Sequence, residues 1–155
     1  MTRRRQKWRP VSPYPLVSTE IRVRYAETDA MGIAHHTAYL VWFEAGRTEY
    51  TRTMGMAYRE VEQGGTRLVV VEAHCRYHRP ARYDDVLIVR TTIRDLTKAT
   101  VTFGYDVRRK DDDTLLVEGY TTHAATDAAG RVRRIPDAVR SVLGGAGRNP
   151  PGQRE

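Results

Sequence analysis

Cysteine is almost missing from this 155-residue chain: Cys75 stands alone. That excludes an internal disulfide framework and a multi-cysteine zinc site. Long apolar runs are missing too. The longest, 38–43, has six residues, whereas a membrane span needs about 20. Phenylalanine and tryptophan occur twice each, so nine tyrosines carry most of the aromatic mass. The start is basic but meets Pro10, Pro13 and Pro15 instead of an apolar stretch, which predicts no secretory signal and a cytoplasmic protein.

What is present is a globular balance, 40% hydrophobic and 29% charged, enough for one domain with its own core. The net charge is +7, but residues 1–10 carry +5 of it and residues 144–155 another +1. The patterned body is therefore nearly neutral, and no nucleic-acid partner is expected of it. The sequence divides into a basic arm (1–18), a folded domain (19–143) and a glycine- and proline-rich tail (144–155), with arm and tail read as solvated.

Inside the body the periods are clear. Ile21, Val23 and Tyr25 alternate with charged residues and predict a strand over 19–25. A helix follows over 37–54, with Tyr39, Trp42, Phe43, Gly46, Tyr50 and Met54 on one face. Its first half is apolar all round, so protein is expected on every side of it. A short helix over 56–63 stops at Gly64-Gly65. Then come four strands, near 69–77, 85–94, 100–108 and 114–127, and a last short helix near 138–143. Val69, Val71, Ala73, Cys75 and Tyr77 are expected to share a face of the first of them. The order predicts an α+β domain, an antiparallel sheet wrapped around one long helix.

The segment with least structural purpose is 25–39, which leaves a strand, passes Gly32 and enters the apolar helix. Asp29 stands just before the helix N-terminus, where free N–H groups and the positive dipole end hold an oxyanion. A carboxylate beside preorganised amides suits acyl transfer. Asp is also a common turn residue, so the pattern alone leaves a capping role open.

The text Tyr25-Ala-Glu-Thr-Asp29-Ala-Met-Gly32-Ile33-Ala-His-His36-Thr-Ala-Tyr39 resembles the opening of the hotdog-fold thioesterases of the 4-hydroxybenzoyl-CoA thioesterase family. Phe43-Glu-Ala-Gly-Arg47-Thr-Glu49 is similar to the family's Tol–Pal-associated branch. Tyr77-His-Arg-Pro80-Ala-Arg-Tyr-Asp84-Asp85 resembles its link between the second and third strands. The closing run from Gly130 to Pro136 fits as well.

This resemblance implies an acyl-CoA thioesterase in a hotdog fold. Asp29 takes the catalytic position, as nucleophile or through a water. His36 brings its N–H to the thioester oxygen, while its ring orients water or the carboxylate. Gly32 and Ile33 form the passage behind the carbonyl, and Tyr39 and Glu44 join the substrate-binding set. Lys98, with Arg133 and Arg134, meets the phosphates of coenzyme A. No metal or redox cofactor is implied, coenzyme A being part of the substrate. Family members form dimers or tetramers with sites at subunit interfaces.

Other signals are weaker. His35-His36 point apart at a helix start, and His74 and His78 lie about 13 Å apart along a strand, too far to share a metal. Cys75 falls on an apolar strand face and reads as core rather than nucleophile. Glu44 either acts directly or pairs with Arg47 or Thr48 one turn on. A hotdog hydratase or dehydratase, and a non-catalytic acyl-CoA-binding protein, are the competing readings. The first needs a His paired with a separate acid for proton transfer at carbon, and the second needs no carboxylate at position 29.

Overall fold

Five period-two segments pair into one antiparallel sheet in the computed structural model, which describes residues 12–56 and 58–145. The strands are β1 (Leu16–Arg22), β2 (Arg67–Tyr77), β3 (Val86–Leu96), β4 (Thr100–Arg109) and β5 (Leu115–Thr126), in spatial order β1-β3-β4-β5-β2. The 16-residue α1 (Ala38–Thr53) lies on the inner face of this sheet. Two short helices, α2 (Tyr58–Gln63) and α3 (Asp137–Leu143), complete the domain. The α+β architecture expected from the patterning is the one observed.

Every residue assigned to the apolar face of α1 is buried, from Tyr39 and Trp42 to Met54. Phe43 stacks on Tyr105 of β4, ring centroids 4.2 Å apart, and Tyr50 meets Phe103 edge-on. Gly46 decides how deep the helix sits, because a Cβ there would overlap the Thr91 hydroxyl of β3. Gly119 does the same for β5, where a Cβ would overlap the His74 carbonyl of β2. The outer half of the apolar run behaves differently from expectation. Leu40 and Val41 are exposed, since the sheet covers only one side of the helix in a single chain.

One boundary also differs. β1 begins at Leu16, pairing Leu16, Val17 and Ser18 with Thr92, Thr91 and Arg90. Residues 16–18 therefore belong to the domain rather than to an arm over 1–18, and the alternation Val17, Thr19, Ile21 starts where the prolines end. Ser12 and Tyr14 are also tied down, Ser12 by a hydroxyl bond to the Ile93 carbonyl. Residues 1–11 and 146–155, most of the expected arm and tail, lie outside the described residues.

In β2 the register skips Val71, between Val70 paired with His123 and Glu72 paired with Thr122. This bulge reverses the alternation. Leu68 and Val70 share the helix-side face with Ala73, Cys75 and Tyr77, whereas Val69 pairs with Ala124 on the outer face. The sequence-based grouping of Val69 and Val71 with Ala73 is corrected by that single extra residue. β2 is an edge strand, and Val69, Val70 and Val71 are all exposed.

Candidate active site

The chain from 28 to 34 turns back on itself in a narrow loop. Thr28 bridges Ala34, and the Asp29 N–H donates to the Ile33 carbonyl at 2.9 Å. Gly32 closes the turn at φ +76°, a left-handed conformation that L side chains rarely adopt. Its N–H donates to the Asp29 carbonyl. Ile33 bridges Arg82, and the Ala34 N–H donates to the Ala81 carbonyl, so the loop is pinned to the β2–β3 link.

Asp29 is thereby presented with its carboxylate half committed. One oxygen accepts the Met31 N–H at 2.8 Å; the other has no hydrogen-bond partner among the described residues. The side chain lines an open cavity of about 350 Å³ together with Ile33, His36 and Tyr39. The His36 N–H, just before α1, likewise has no acceptor among the described residues. A residue with an unpaired carboxylate oxygen and one with an unpaired amide just before the helix thus line the same space, groups of the kind that suit acyl transfer.

The opposite wall comes from β2 and its exit. The Tyr77 hydroxyl donates to the His36 carbonyl at 2.7 Å, and the Tyr39 hydroxyl accepts the Ala81 N–H at 3.3 Å. Burial raises the pKa of both phenols, that of Tyr77 to about 12. Both hydroxyls therefore keep their protons, and Tyr77 remains a donor. Cys75 beside them is also pushed up by burial, so it stays a thiol, as its strand face suggests. His78 contacts Glu118 at 3.2 Å. Arg79 lines the cavity with no carboxylate partner among the described residues, while Arg22, Arg24 and Arg109 are each paired.

The remaining expected residues lie elsewhere in the chain. Glu44 lines a separate cavity of about 180 Å³ with Arg47, Thr48, Leu68 and His123, and makes no ion pair with Arg47 among the described residues. Lys98 sits in the β3–β4 turn, and its carbonyl accepts the Ile135 N–H. Arg133 bonds the Gly65 carbonyl, and Arg134 pairs with Asp137. β3 has 11 residues, about 35 Å of extended chain, so this cluster is a full strand length from Asp29 within one chain. By sequence, Tyr77 has no role beyond a strand face, His78 none beyond a rejected metal ligand, and Arg79 none beyond its place in the Tyr77–Asp85 motif.

His123 in the second cavity is 2% exposed, with its Nε2 on the Thr121 hydroxyl at 2.8 Å. Burial, and then the charge of Arg47, depress its pKa from 6.5 to about 4. The unfolded chain gains a proton below pH 6.5 that the folded chain refuses until about pH 4. Stability from this group is therefore present above pH 6.5 and lost as the pH falls toward 4, by about 3 kcal/mol. Urea titrations of wild type and His123→Gln between pH 7 and 4.5 check this; the variant is expected to lose stability less steeply, and parallel slopes would contradict it.

Among the described residues no three His, Cys, Asp or Glu side chains gather as a metal ligand set. No described helix is long and apolar enough to cross a membrane.

A five-stranded antiparallel sheet folded around one long helix, with a carboxylate at the mouth of that helix, is the hotdog arrangement. The chain belongs to the thioesterase-like superfamily, whose family model matches residues 23–143. It is 32% identical over 129 residues to the acyl-CoA thioesterase YbgC of Haemophilus influenzae, covering 81% of this chain and 93% of that one. Among solved structures, TT1821 of Thermus thermophilus is 38% identical with a TM-score of 0.77, covering 83% of this chain and 95% of that one. Slr0204 of Synechocystis, a 1,4-dihydroxy-2-naphthoyl-CoA thioesterase, shares the fold at 18% identity and a TM-score of 0.77, with 83% and 96% covered.

Proposed function

We propose that this chain hydrolyses acyl-CoA thioesters to free acid and coenzyme A. The observation that carries the reading is that Asp29, with one carboxylate oxygen unpaired among the described residues, lines the same cavity as His36, whose N–H is unpaired among them too. Asp29 takes a proton from water as the oxygen adds to the thioester carbon, or adds to it directly and yields an anhydride that water then cleaves. In both routes the carbonyl oxygen becomes an oxyanion, which the His36 N–H and the α1 terminus stabilise. Collapse breaks the C–S bond. In the first route the thiolate takes the proton that Asp29 drew from water. In the second it leaves as thiolate and takes up the proton released when water cleaves the anhydride. Gly32 and Ile33 shape the passage, while the His36 ring orients the water.

The substrate's nucleotide phosphates need cations. Arg79 supplies one at this mouth, and we assign Lys98, Arg133 and Arg134 to the same task from a second copy of the chain. The exposed edge of β2, with exposed Leu40 and Val41 on α1, supports a homo-oligomer. Antiparallel pairing of two β2 edges about a two-fold axis sets the far end of one sheet beside the near end of the other. The reading carries no cofactor beyond the coenzyme A of the substrate, and it places the enzyme in the cytoplasm.

Thiol release from short, long and aromatic acyl-CoAs tests the proposal. At least one is expected to turn over without added metal, and to do so equally with a chelator present. No release across the panel, or abolition by the chelator, would end it.

A further inference from the structure

Glu27 is a carboxylate with a 10% exposed side chain, two residues before Asp29. Its Oε1 accepts the Arg24 N–H at 2.8 Å, with Arg24 Nε at 3.3 Å. Its Oε2 accepts the indole N–H of Trp42 at 2.8 Å. Its carbonyl accepts the His35 N–H at 2.7 Å. One residue thus joins the chain entering the Asp29 loop, the chain leaving it and the second turn of α1.

Trp42 is a firm anchor: it is 2% exposed and packs edge-on against Tyr39 at 4.6 Å. Tyr39 in turn meets Tyr77, whose hydroxyl holds His36. The loop is therefore clamped from both sides, by Glu27 at its base and by Tyr77 at its exit.

Packing alone does not call for a carboxylate at position 27. An aliphatic side chain would fill the space beside the indole without the desolvation cost of an ion. What the carboxylate adds is direction, two aimed bonds that fix the loop base against the helix. Reacting groups displaced by about 1 Å lose about 100-fold in rate, so a base this close to Asp29 controls where its free oxygen lies.

We propose that Glu27, acting through Trp42, is a positioning residue for Asp29; the proposal rests on the thioesterase reading above. Glu27→Met keeps the length of the stem and removes both acceptors, the one on Trp42 included. Trp42→Phe keeps an aromatic ring in the core but removes the donor. Each is expected to lower kcat about 10-fold with KM changed less than about 3-fold. The double variant should be no worse than the poorer single, because both break the bond between Glu27 and Trp42. Hydrogen exchange over 28–36 should rise in both singles and no further in the double.

Wild-type kcat in folded variants, losses that multiply, or unchanged exchange would each overturn the proposal. Failure of the underlying reading looks different. In that case wild-type protein releases no thiol, or Asp29→Asn keeps full activity, while the exchange measurement still decides whether Glu27 holds the loop.

Discussion

Asp29→Asn is expected to lower kcat by about 100-fold or more, with KM and melting temperature close to wild type. Asparagine keeps an oxygen for the Met31 N–H, so the turn that presents position 29 stays closed. What disappears is the second carboxylate oxygen, with its basicity and nucleophilicity, and both proposed routes depend on it. Binding should survive because none of the proposed nucleotide contacts, Arg79, Lys98, Arg133 and Arg134, is altered by the substitution. His36→Ala should fall between Asp29→Asn and wild type, since its main-chain N–H remains when the ring is lost. Cys75→Ser should leave turnover intact, because burial keeps that thiol protonated. Steady-state kinetics on the three purified variants, each checked by a thermal melt, reads this order. An Asp29→Asn protein working at the wild-type rate would remove the site and direct attention to Glu44 in the second cavity.

The largest stability loss is expected on the other face of the sheet. Asp106 of β4 is fully buried, and both its oxygens are used. Arg90 of β3 grips it with two nitrogens, Nε at 2.8 Å and Nη2 at 2.5 Å, while Arg108 Nε approaches at 3.3 Å. The guanidinium groups are themselves largely covered, their side chains 22% and 15% exposed. Asp106→Ala removes the carboxylate that both guanidinium groups share in this low-dielectric setting, while Arg108 keeps its 3.8 Å contact with Asp113, at a cost of about 3–5 kcal/mol. Arg22→Gln offers the contrast: its pair with Asp84 is exposed on both sides, and its removal should change stability by less than about 1 kcal/mol. Urea unfolding of the two variants tests the difference, and equal midpoints would refute it.

Some of this is legible in the amino-acid sequence. The face of α1 could be read in full because helical spacing is set within the helix itself, so Tyr39, Trp42, Phe43, Gly46, Tyr50 and Met54 are buried as expected. The strands could be read because each alternates locally. Asp29, Gly32, Ile33, His36 and Tyr39 could be grouped because they are contiguous. What stayed hidden depends on distant pairing. Tyr77 reaches His36 across 41 positions, and nothing near either residue signals that bond. Glu27 carries no local signal either, since its bond to Trp42 spans 15 positions. The cations at 98, 133 and 134 carry the right charge, yet the strand between them and Asp29 sets them at the far end of the chain's own sheet.

The bulge in β2 has a consequence for how this segment tolerates gained or lost codons. Val71 is the residue outside the ladder, so a gene lacking only that codon would still encode Val70 opposite His123 and Glu72 opposite Thr122. Every later pair would be kept, and Tyr77 would still face His36. Losing a codon from 73 to 76 instead shifts one part of the strand by one position, and a shift of one turns inward side chains outward. Either Tyr77 would then leave the His36 carbonyl, or Val71 would enter the ladder and turn Glu72 toward the helix. Length variation in this strand should therefore be found at position 71 and be absent downstream of it.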